Sequence, residues 1–425
     1  MKLLNCRIES ANNPQSDFPL NNLPFGVYSA GGVAPRCCTA IGDSILDLSV
    51  LYEANLFPEL TDNVFSNSTL NAFMALGAAQ WSTVRNHLIE LLHSDNNIDS
   101  KKLDVIAAAQ HSLTAVRLHM PFAVAEFTDF YAGRQHATNV GTMFRGAENA
   151  LPPNWLHIPI GYNGRASTVV VSGTDIHRPL GQMKPPNEDL PYFGPCKRLD
   201  LELEIGAVVG LPNEMGKPLT VKEADDLIFG YVLLNDWSAR DIQAWEYQPL
   251  GPFQAKVFAT SISPWVVTKE ALASFRVSTP DRDFELLPYL QEKEPLLYDI
   301  SLSVHLQPDG ADKPTTISNT NYQNMYYSAA QQLAHHAVGG CKMCTGDLLG
   351  SGTISGDTDS AYGSLLEISW GGKNPLQLDT GETRTFLEDG DTLTLKGAAQ
   401  GDGFRIGFGE CTGKILPAPR FKPWC

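Results

Sequence analysis

The segment from Leu199 to Val209 constrains the fold more than any other part of the chain. As a strand, its first residues would place apolar side chains on one face (Leu199, Leu201, Leu203, Ile205) and acidic side chains on the other (Asp200, Glu202, Glu204). A sheet with one solvated face is the common explanation of such a pattern. Here residues 206–209 are apolar on both faces, which indicates a strand that runs into the core. Carboxylates two residues apart on such a strand repel each other unless a cation lies between them, and a hard divalent metal is the simplest one.

Length and composition narrow the class of protein. The chain has 425 residues, enough for two or three domains, and 43% hydrophobic against 18% charged residues excludes a disordered chain or a coiled coil. A net charge of −16 argues against nucleic acid and against anionic membranes as partners. No stretch approaches the roughly 18 apolar residues of a membrane span. Eight cysteines without framework spacing, and a start without a signal peptide, predict a cytoplasmic protein with reduced thiols.

The first part of the chain mixes short strands and helices. Strands are predicted at 26–29, 38–41 and 45–48. A helix is predicted within 69–93, because Trp81, Val84, Leu88 and Leu91 recur at steps of three and four. Residues 103–116 predict another short helix. Pro121 ends this region, so we expect an N-terminal domain of residues 1–120 and a large C-terminal domain of residues 121–425.

The second part reads as β-rich. Strands are predicted at 168–172, 302–306 and 404–408, and a hairpin at 384–387 and 392–395 around the turn at 389–391. One convincing helix is predicted, near residues 322–338. The segment 364–370, which carries Glu367, is predicted to be an apolar strand.

Three further clusters carry polar groups in positions that favour chemistry. Asp236 follows the apolar strand 231–235, where it either serves a site or caps a following helix. Residues 128–139 bring an acid, a tyrosine, an arginine and a histidine together, and His136 fits a base that works near neutral pH, although a lone histidine is more often structural. Arg145 is a candidate for a substrate carboxylate or for a surface salt bridge. The glycine-rich segment 350–356 either holds an anion on its N–H groups or is a tight turn.

Two other patterns are interpreted as carrying no chemistry. The pair Cys341 and Cys344 stands alone without a second pair at zinc spacing, so we interpret it as incidental. His335 and His336 are interpreted as structural residues of a helix.

Longer motifs show a family resemblance. They include Asp129-Phe130-Tyr131 through Gly141, Met143-Phe144-Arg145-Gly146, Pro152 to His157, Gly164 to Ser167, Asn235 to Gln243, Trp245-Glu246-Tyr247, Pro249 to Phe253 and Gly352 to Gly356. With these motifs the chain resembles the fumarylacetoacetate hydrolase family, C–C bond hydrolases of tyrosine and phenylalanine breakdown, from about Asp17 to Pro417. The resemblance implies a mainly β fold with some α, in which a small SH3-like N-terminal barrel precedes a β-sandwich roll, and it implies a homodimer.

The resemblance also implies a set of site residues. A calcium ion would be held by Asp129, Glu202, Glu204 and Asp236, and a magnesium ion would lie beside Asp236, Lys256 and Thr260. His136 would be the general base, oriented by Glu367, and Arg240, Gln243 and Lys256 would stabilise an oxyanion. Substrate contacts would come from Tyr131, Arg145, Tyr162, Gln243, Tyr247 and Thr353.

The implied reaction is the metal-dependent hydrolysis of 4-fumarylacetoacetate, a small diketone acid, to fumarate and acetoacetate. Two alternatives stay open at the level of sequence. One is hydrolysis, decarboxylation or isomerisation of another acylpyruvate-like diketone acid on the same fold, and the other is a metal-binding scaffold without catalysis. Intact His136 and Glu367 argue against the scaffold.

Overall fold

The computed structural model of the chain describes residues 2–421. Its architecture is dominated by sheets, so the prediction of a mainly β fold with some α is confirmed. Three sheets organise the molecule: one near the N-terminus and two larger ones in the rest of the chain. The functional groups discussed below gather at one end of the largest sheet.

The N-terminal sheet has five antiparallel strands with four helices beside it. The strands are β1 (Phe25–Ser29), β2 (Arg36–Ile41), β3 (Ser44–Asp47), β4 (Gln110–Ser112) and β5 (Arg117–Leu118), and the helices are α1 (Leu48–Glu53), α2 (Asn71–Met74), α3 (Ala78–Leu92) and α4 (Ser100–Ala109). The strand order is β4-β3-β2-β1-β5. The predicted apolar stripe of α3 is buried. That this region forms an SH3-like barrel stays a prediction.

The largest sheet has eight strands. They are β6 (Phe127–Phe130), β7 (Gly161–Asn163), β8 (Val169–Val171), β13 (Leu203–Val209), β14 (Ile228–Asn235), β16 (Thr260–Ile262), β17 (Val267–Thr268) and β22 (Leu348–Gly350). The order is β7-β6-β22-β13-β14-β16-β8, and β17 also pairs with β14. This order makes β13 and β14 central, and their apolar sequences fit that position.

A second sheet of five strands packs against it. It consists of β9 (Ile176–His177), β20 (Ser301–Gln307), β21 (Thr315–Asn321), β25 (Thr392–Gln400) and β26 (Arg405–Leu416), in the order β21-β20-β25-β26-β9. Four short pairs complete the strands: β10 (Leu180–Met183) with β11 (Tyr192–Pro195), β12 (Leu199–Asp200) with β15 (Ser238–Ala239), β18 (Arg276–Val277) with β19 (Leu297–Tyr298), and β23 (Leu376–Gln377) with β24 (Thr383–Arg384). The helices are α5 (Arg134–Arg145), α6 (Val221–Leu227), α7 (Arg240–Glu246), α8 (Ala329–Ala337) and α9 (Leu365–Ile368).

Strand β14 is buried on both faces, which explains its unbroken apolar sequence. Leu233 belongs to the core that the two large sheets share, whereas Val232 and Leu234 belong to the core formed with the N-terminal region. The two regions are also joined through the backbone, because Phe25 and Val266 exchange both of their hydrogen bonds, at 3.0 and 2.8 Å. The strand that ends at the site is therefore held from both sides.

Five sequence predictions are wrong in detail. The predicted hairpin does not form: Arg384 pairs with β23, and β25 pairs with β20 and β26. The chain does turn at Gly390, with φ +92°. The segment before the turn does not pair with β25, because the backbone N–H of Leu387 donates to the backbone oxygen of Leu199. The predicted helix 103–116 ends at 109, because residues 110–112 pair with β3 as β4.

Two of the remaining three concern helices, and the third concerns a strand. The predicted helix near 322–338 is present as α8, which begins after a capping box of Ser328 and Gln331, but it is not alone in the second part of the chain. Glu367 lies on the short helix α9 and not on a strand, since the N-cap Ser364 accepts the N–H of Glu367. The predicted strand 199–209 is also interrupted at residues 201–202, between β12 and β13.

Candidate active site

Four carboxylates meet at one end of the eight-stranded sheet. Asp129 lies on β6, Glu202 directly precedes β13, Glu204 lies on β13 and Asp236 directly follows β14. One oxygen from each lies within 4.8 Å of the others, and all four residues are buried. These are the four residues that the sequence analysis assigned to a metal site, and the alternative that Asp236 caps a helix is wrong, since the N-cap of α7 is Ala239.

Gly350 on β22 makes this close approach possible. It pairs with Asp129 on the neighbouring strand. A Cβ atom at position 350 would lie 2.4 Å from Asp129 Oδ1 and 2.8 Å from Glu204 Oε2. Because real Cβ atoms do not approach oxygen so closely, any larger residue would push the carboxylates apart.

The cluster has fewer hydrogen-bond donors than its oxygens require. The Tyr162 hydroxyl lies 2.9 Å from Asp129 Oδ2 and 3.0 Å from Asp236 Oδ2, and its one proton serves only one of them at a time. The backbone N–H of Gly352 donates to Glu204 Oε2 at 2.9 Å. Asp129 Oδ1 and Glu204 Oε1 are buried and accept no hydrogen bond from any residue between 2 and 421. Oxygen atoms left without donors in a dry acidic cluster fit a hard divalent cation.

The charges of the cluster are unequal. Burial, and then the negative charge of Asp236, raises the pKa of Asp129 well above its usual range. Burial, and then Asp129, does the same to the pKa of Glu204. Burial also acts on Glu202, but there Arg240 and Lys256 outweigh it and lower the pKa. The Lys256 ammonium contacts both Glu202 and Asp236. Glu202 is therefore neutralised by the positive charges of Arg240 and Lys256. Asp129 and Glu204 have no such positive partner in contact with them in the part of the chain that the structure describes.

His136 and Glu367 form a buried pair beside the cluster. His136 lies in the first turn of α5, and its Nδ1 is 2.6 Å from Glu367 Oε2. Because a carboxylate accepts, Nδ1 carries a proton in this pair. Nε2 lies 3.6 Å from Glu202 Oε1, on the side of the carboxylate cluster.

Glu367 is held by further donors that the sequence analysis did not identify. Asn139 donates to its Oε1 at 2.9 Å, and the hydroxyls of Ser355 and Ser364 donate to its Oε2 at 2.9 and 2.8 Å. Burial would raise the pKa of Glu367, but His136 and these hydrogen bonds outweigh it and lower the pKa. Glu367 therefore stays ionised and the imidazole orientation is set.

Arg240 begins α7 and reaches three partners. Its Nε donates to Asp200 Oδ2 at 2.8 Å, its Nη1 donates to Gln243 Oε1 at 3.2 Å, and its Nη2 lies 2.8 Å from Glu202 Oε1. Since Arg240 occupies the amide oxygen of Gln243, the Gln243 amide group keeps its N–H donors for another partner.

These groups surround a cavity of about 360 Å³. All six residues predicted to contact substrate lie in its wall: Tyr131, Arg145, Tyr162, Gln243, Tyr247 and Thr353. Asp236, Thr260 and Glu367 lie behind that wall. The sequence analysis missed its apolar part, which consists of Val140, Phe144, Ile160, Ala244, Leu250 and Pro252. The spacing of His136, Val140 and Phe144 at four-residue steps was the signal for this face, but it is legible only once α5 is known to be a helix.

The other polar candidates make the following local contacts. Arg145 makes no surface salt bridge within the described residues; it donates to the backbone oxygens of Asn149 and Ala150 at 3.1 and 2.6 Å. In the glycine-rich segment, the backbone N–H of Gly352 donates to the Glu204 carboxyl group. His335 bonds to Tyr289 and His336 to Thr128. Cys341 and Cys344 are free thiols, as are the other five cysteines among residues 2–421, whereas Cys425 lies outside the described residues.

Comparison with known proteins gives consistent matches over both parts of the chain. Residues 21–121 match the family profile described as Fumarylacetoacetase N-terminal, and residues 126–416 match Fumarylacetoacetate (FAA) hydrolase C-terminal. The chain is 51% identical to the fumarylacetoacetase of Homo sapiens over 406 residues, which cover 95% of this chain and 97% of that one. It is 51% identical to the fumarylacetoacetase of Arabidopsis thaliana over 409 residues, with the same coverage.

A solved structure supports the fold. The fumarylacetoacetate hydrolase of the psychrophile Exiguobacterium antarcticum superposes with a TM-score of 0.51 at 16% identity, over 93% of this chain and 99% of that one. At that identity the likeness concerns the fold alone. No helix in the described part of the chain has the length and apolar character needed to cross a bilayer.

Proposed function

Since the chain belongs to the fumarylacetoacetate hydrolase family, we propose that it hydrolyses the C–C bond of 4-fumarylacetoacetate to fumarate and acetoacetate, the last step of tyrosine and phenylalanine degradation. Identity of 51% to fumarylacetoacetases over nearly the whole chain supports this activity. The single observation that carries it is the His136–Glu367 pair, which stands beside four buried carboxylates in one cavity.

The metal in this proposal is a calcium ion held by Asp129, Glu202, Glu204 and Asp236. The two carboxylate oxygens without donors, on Asp129 and Glu204, support that ion. A magnesium ion beside Asp236, Lys256 and Thr260 is the second one proposed. Its support is weaker, because the Lys256 ammonium already contacts Asp236 and Thr260 Oγ1 lies 3.2 Å from Asp236 Oδ1.

The difficulty of the reaction lies in its leaving group, a carbanion. A 1,3-diketone relieves the difficulty because the departing carbon becomes part of an enolate. A divalent metal, when bound, supplies a Lewis acid that stabilises the enolate charge. The rest of the chemistry is carried by side chains of this chain.

His136 acts as the general base. Its Nε2 removes a proton from water, and the resulting hydroxide attacks the carbonyl carbon of the fumaryl group. Glu367 keeps the imidazole oriented and stabilises the imidazolium. The C–C bond then breaks, its electron pair forms the enolate of acetoacetate, and the imidazolium returns the proton to carbon. Fumarate and acetoacetate are the products.

Arg240, Gln243 and Lys256 are proposed to donate to the oxyanion of the tetrahedral intermediate. All three lie in the cavity wall. The loss of one such donor typically costs about 10²–10³ in rate. Arg145, with Tyr131, Tyr162, Tyr247 and Thr353, is proposed to bind the rest of the substrate, with the guanidinium of Arg145 on a carboxylate.

Three further features belong to this proposal. Free thiols at all seven described cysteines support a cytoplasmic protein.

Exposed apolar side chains near the cavity mouth, Leu250 at 95% and Phe253 at 63%, support a homodimer, which sedimentation would detect. The domains are proposed to span residues 1–120 and 121–425, and limited proteolysis would test that boundary.

The deciding experiment follows the ultraviolet absorbance of fumarylacetoacetate with purified protein. We expect turnover that stops after chelation and returns when calcium or magnesium is added back. No turnover with metal present would contradict the proposed substrate and would direct the search to other diketone acids. Turnover that survives complete removal of metal would contradict the metal-dependent mechanism.

A further inference from the structure

We propose that Asp200 is a positioning residue that joins the two halves of the catalytic machinery, because its single carboxylate holds both Arg240 and the helix that carries Glu367. The inference rests on the proposed function, since it concerns the same reaction. Asp200 is fully buried and does not line the cavity. It therefore acts through other residues.

The Asp200 carboxylate accepts four hydrogen bonds. Oδ2 accepts from Arg240 Nε at 2.8 Å and from the backbone N–H of Leu366 at 3.0 Å. Oδ1 accepts from the backbone N–H groups of Leu365 and Leu201, both at 2.8 Å. Each oxygen thus has two donors, and none of its hydrogen-bonding capacity is left for another role.

One side of this arrangement concerns Glu367. Helix α9 has four residues, too few to be stable by its own hydrogen bonds. Its first two N–H groups, at Leu365 and Leu366, donate to Asp200. Glu367 follows directly in the same turn and bonds to His136 Nδ1. The place of the carboxylate that orients His136 is thereby tied to Asp200.

The other side concerns Arg240. A guanidinium is planar, so a hydrogen bond that holds Nε also sets the directions of both Nη atoms. With Nε on Asp200, Nη1 donates to Gln243, and Nη2 lies 2.8 Å from Glu202 Oε1 but makes no hydrogen bond within residues 2–421. The donors proposed for the oxyanion are thus aligned by the same carboxylate that holds α9.

The first test is Asp200→Asn, which keeps the size of the side chain. Whichever oxygen becomes NH₂, that group faces two donors, so the variant loses contacts in either orientation. We expect kcat to fall roughly 10–100-fold, as for outer residues that orient a reacting group. KM should stay within about twofold, because Asp200 does not touch the substrate.

Asp391→Asn is the matched control. Asp391 is also fully buried, and it accepts from Arg384 Nε and Nη2, both at 2.9 Å, and from the backbone N–H of Glu388 at 2.9 Å. It does not line the cavity. We expect it to lose stability like Asp200→Asn but to keep kcat. Equal losses of kcat in both variants would overturn the positioning role.

A readout without turnover separates this inference from the proposed function. His136 Nδ1 lies 2.6 Å from Glu367 Oε2, so we expect its proton to give a downfield NMR signal, which the loss of that signal in His136→Ala would identify. We expect the signal to shift or broaden in Asp200→Asn and to stay in Asp391→Asn. An unchanged signal together with an unchanged kcat would overturn the inference. Absence of turnover in the unmodified protein would instead contradict the proposed function, and the NMR comparison would still decide the role of Asp200.

A double-mutant cycle with Arg240→Gln adds a second criterion. If Asp200 acts through Arg240, the two losses of kcat are far from multiplicative. Fully multiplicative losses would overturn the inference that Asp200 acts through Arg240. If Asp200→Asn does not fold, Asp200→Ser replaces it, since a serine oxygen can still accept from α9 but leaves Arg240 without its partner. Failure of both variants to fold would mean that Asp200 serves folding, and would also overturn the inference.

Discussion

At the scale of single residues, His136 is the side chain on which the proposed reaction depends most. One ring nitrogen is occupied by Glu367 and the other is directed toward the carboxylate cluster. His136→Ala removes the base, so we expect kcat to fall at least about 10²–10⁴-fold, while the far-ultraviolet circular dichroism spectrum and the bound calcium are unchanged. His305→Ala, a histidine on β20 bonded to Ser303 and Thr316, is the control and should keep full activity. Substantial turnover by His136→Ala would remove it as the base.

Glu367 is expected to act in the transition state rather than in binding. Glu367→Gln places an amide NH₂ among groups that all donate, from His136, Asn139, Ser355 and Ser364. The imidazolium also loses its counter-charge, so we expect kcat to fall roughly 10³–10⁴-fold with little change in KM. Steady-state kinetics measures both constants, and the exposed Glu382→Gln is the control. A change confined to KM would contradict this role.

The same residues show how far sequence reasoning reaches. Alternation along 199–205 placed Glu202 and Glu204 together, because a strand has a fixed period. The same alternation put Asp200 with them, but its partners Arg240, Leu365 and Leu366 are distant in sequence. No local pattern records such contacts. The assignments of His136 and Glu367 to one site likewise came from family motifs, because the residues between them carry no periodic signal that joins them.

At the scale of elements, strand β22 separates β6 from β13, and its glycine decides how closely the carboxylates of those strands approach. Gly350→Ala would place a methyl group against Asp129 and Glu204. We expect a loss of about 1–3 kcal/mol in unfolding free energy and a clear loss of calcium affinity. Calorimetric titration with calcium and thermal unfolding measure the two effects.

Gly206→Ala on the adjacent β13 is the matched control. Its Cβ would meet the side chains of Leu348, Val232 and Leu234, at 2.9 to 3.2 Å, and no carboxylate. We expect it to lower stability without lowering calcium affinity. If both glycine variants bind calcium equally, the space that Gly350 provides does not matter to the site.

The elements that sequence predicted well are those with a strict period. Strand β20 alternates Leu302, Val304 and Leu306 inward, and α3 has a continuous apolar stripe. Helix α5 was not predicted, because its sequence contains glycine, threonine and asparagine, and its buried residues are His136, Ala137 and Gly141. This segment is helical because of the cavity wall that it packs into, and not because of its intrinsic helix propensity. Helix α9 depends in the same way on Asp200.

At the scale of the whole molecule, the fold removes four carboxylates from water at one end of the eight-stranded sheet. The cost of burial is visible in the raised pKa values of Asp129 and Glu204. Among the four carboxylates, Lys256 and Arg240 outweigh this cost only at Glu202, whose pKa is lowered. The metal-free protein therefore holds charge that destabilises it, and protons or a divalent cation relieve the strain by competing for the same oxygens.

This competition fixes the sign of the pH dependence. A carboxyl group whose pKa is raised on folding stabilises the protein below its unfolded value, near pH 4, and this stabilisation is lost as pH rises through the folded pKa. A bound cation replaces the proton. We therefore expect the increase in Tm caused by calcium to be small near pH 4.5 and to grow toward neutral pH. At a calcium concentration of 100 times Kd, calcium adds about 2.7 kcal/mol to the free energy of unfolding.

Differential scanning calorimetry with calcium or with chelator, at matched pH values, measures this increment directly. The difference between the two conditions cancels the general effect of the −16 net charge on acid stability. Glu204→Gln should flatten the pH dependence and reduce the gain in stability, because it removes one of the groups of the cluster with a raised pKa. The exposed Glu382→Gln should leave both unchanged. An increment that is equal at every pH would mean that calcium and protons do not share the carboxylate cluster, and the assignment of the metal to it would be wrong.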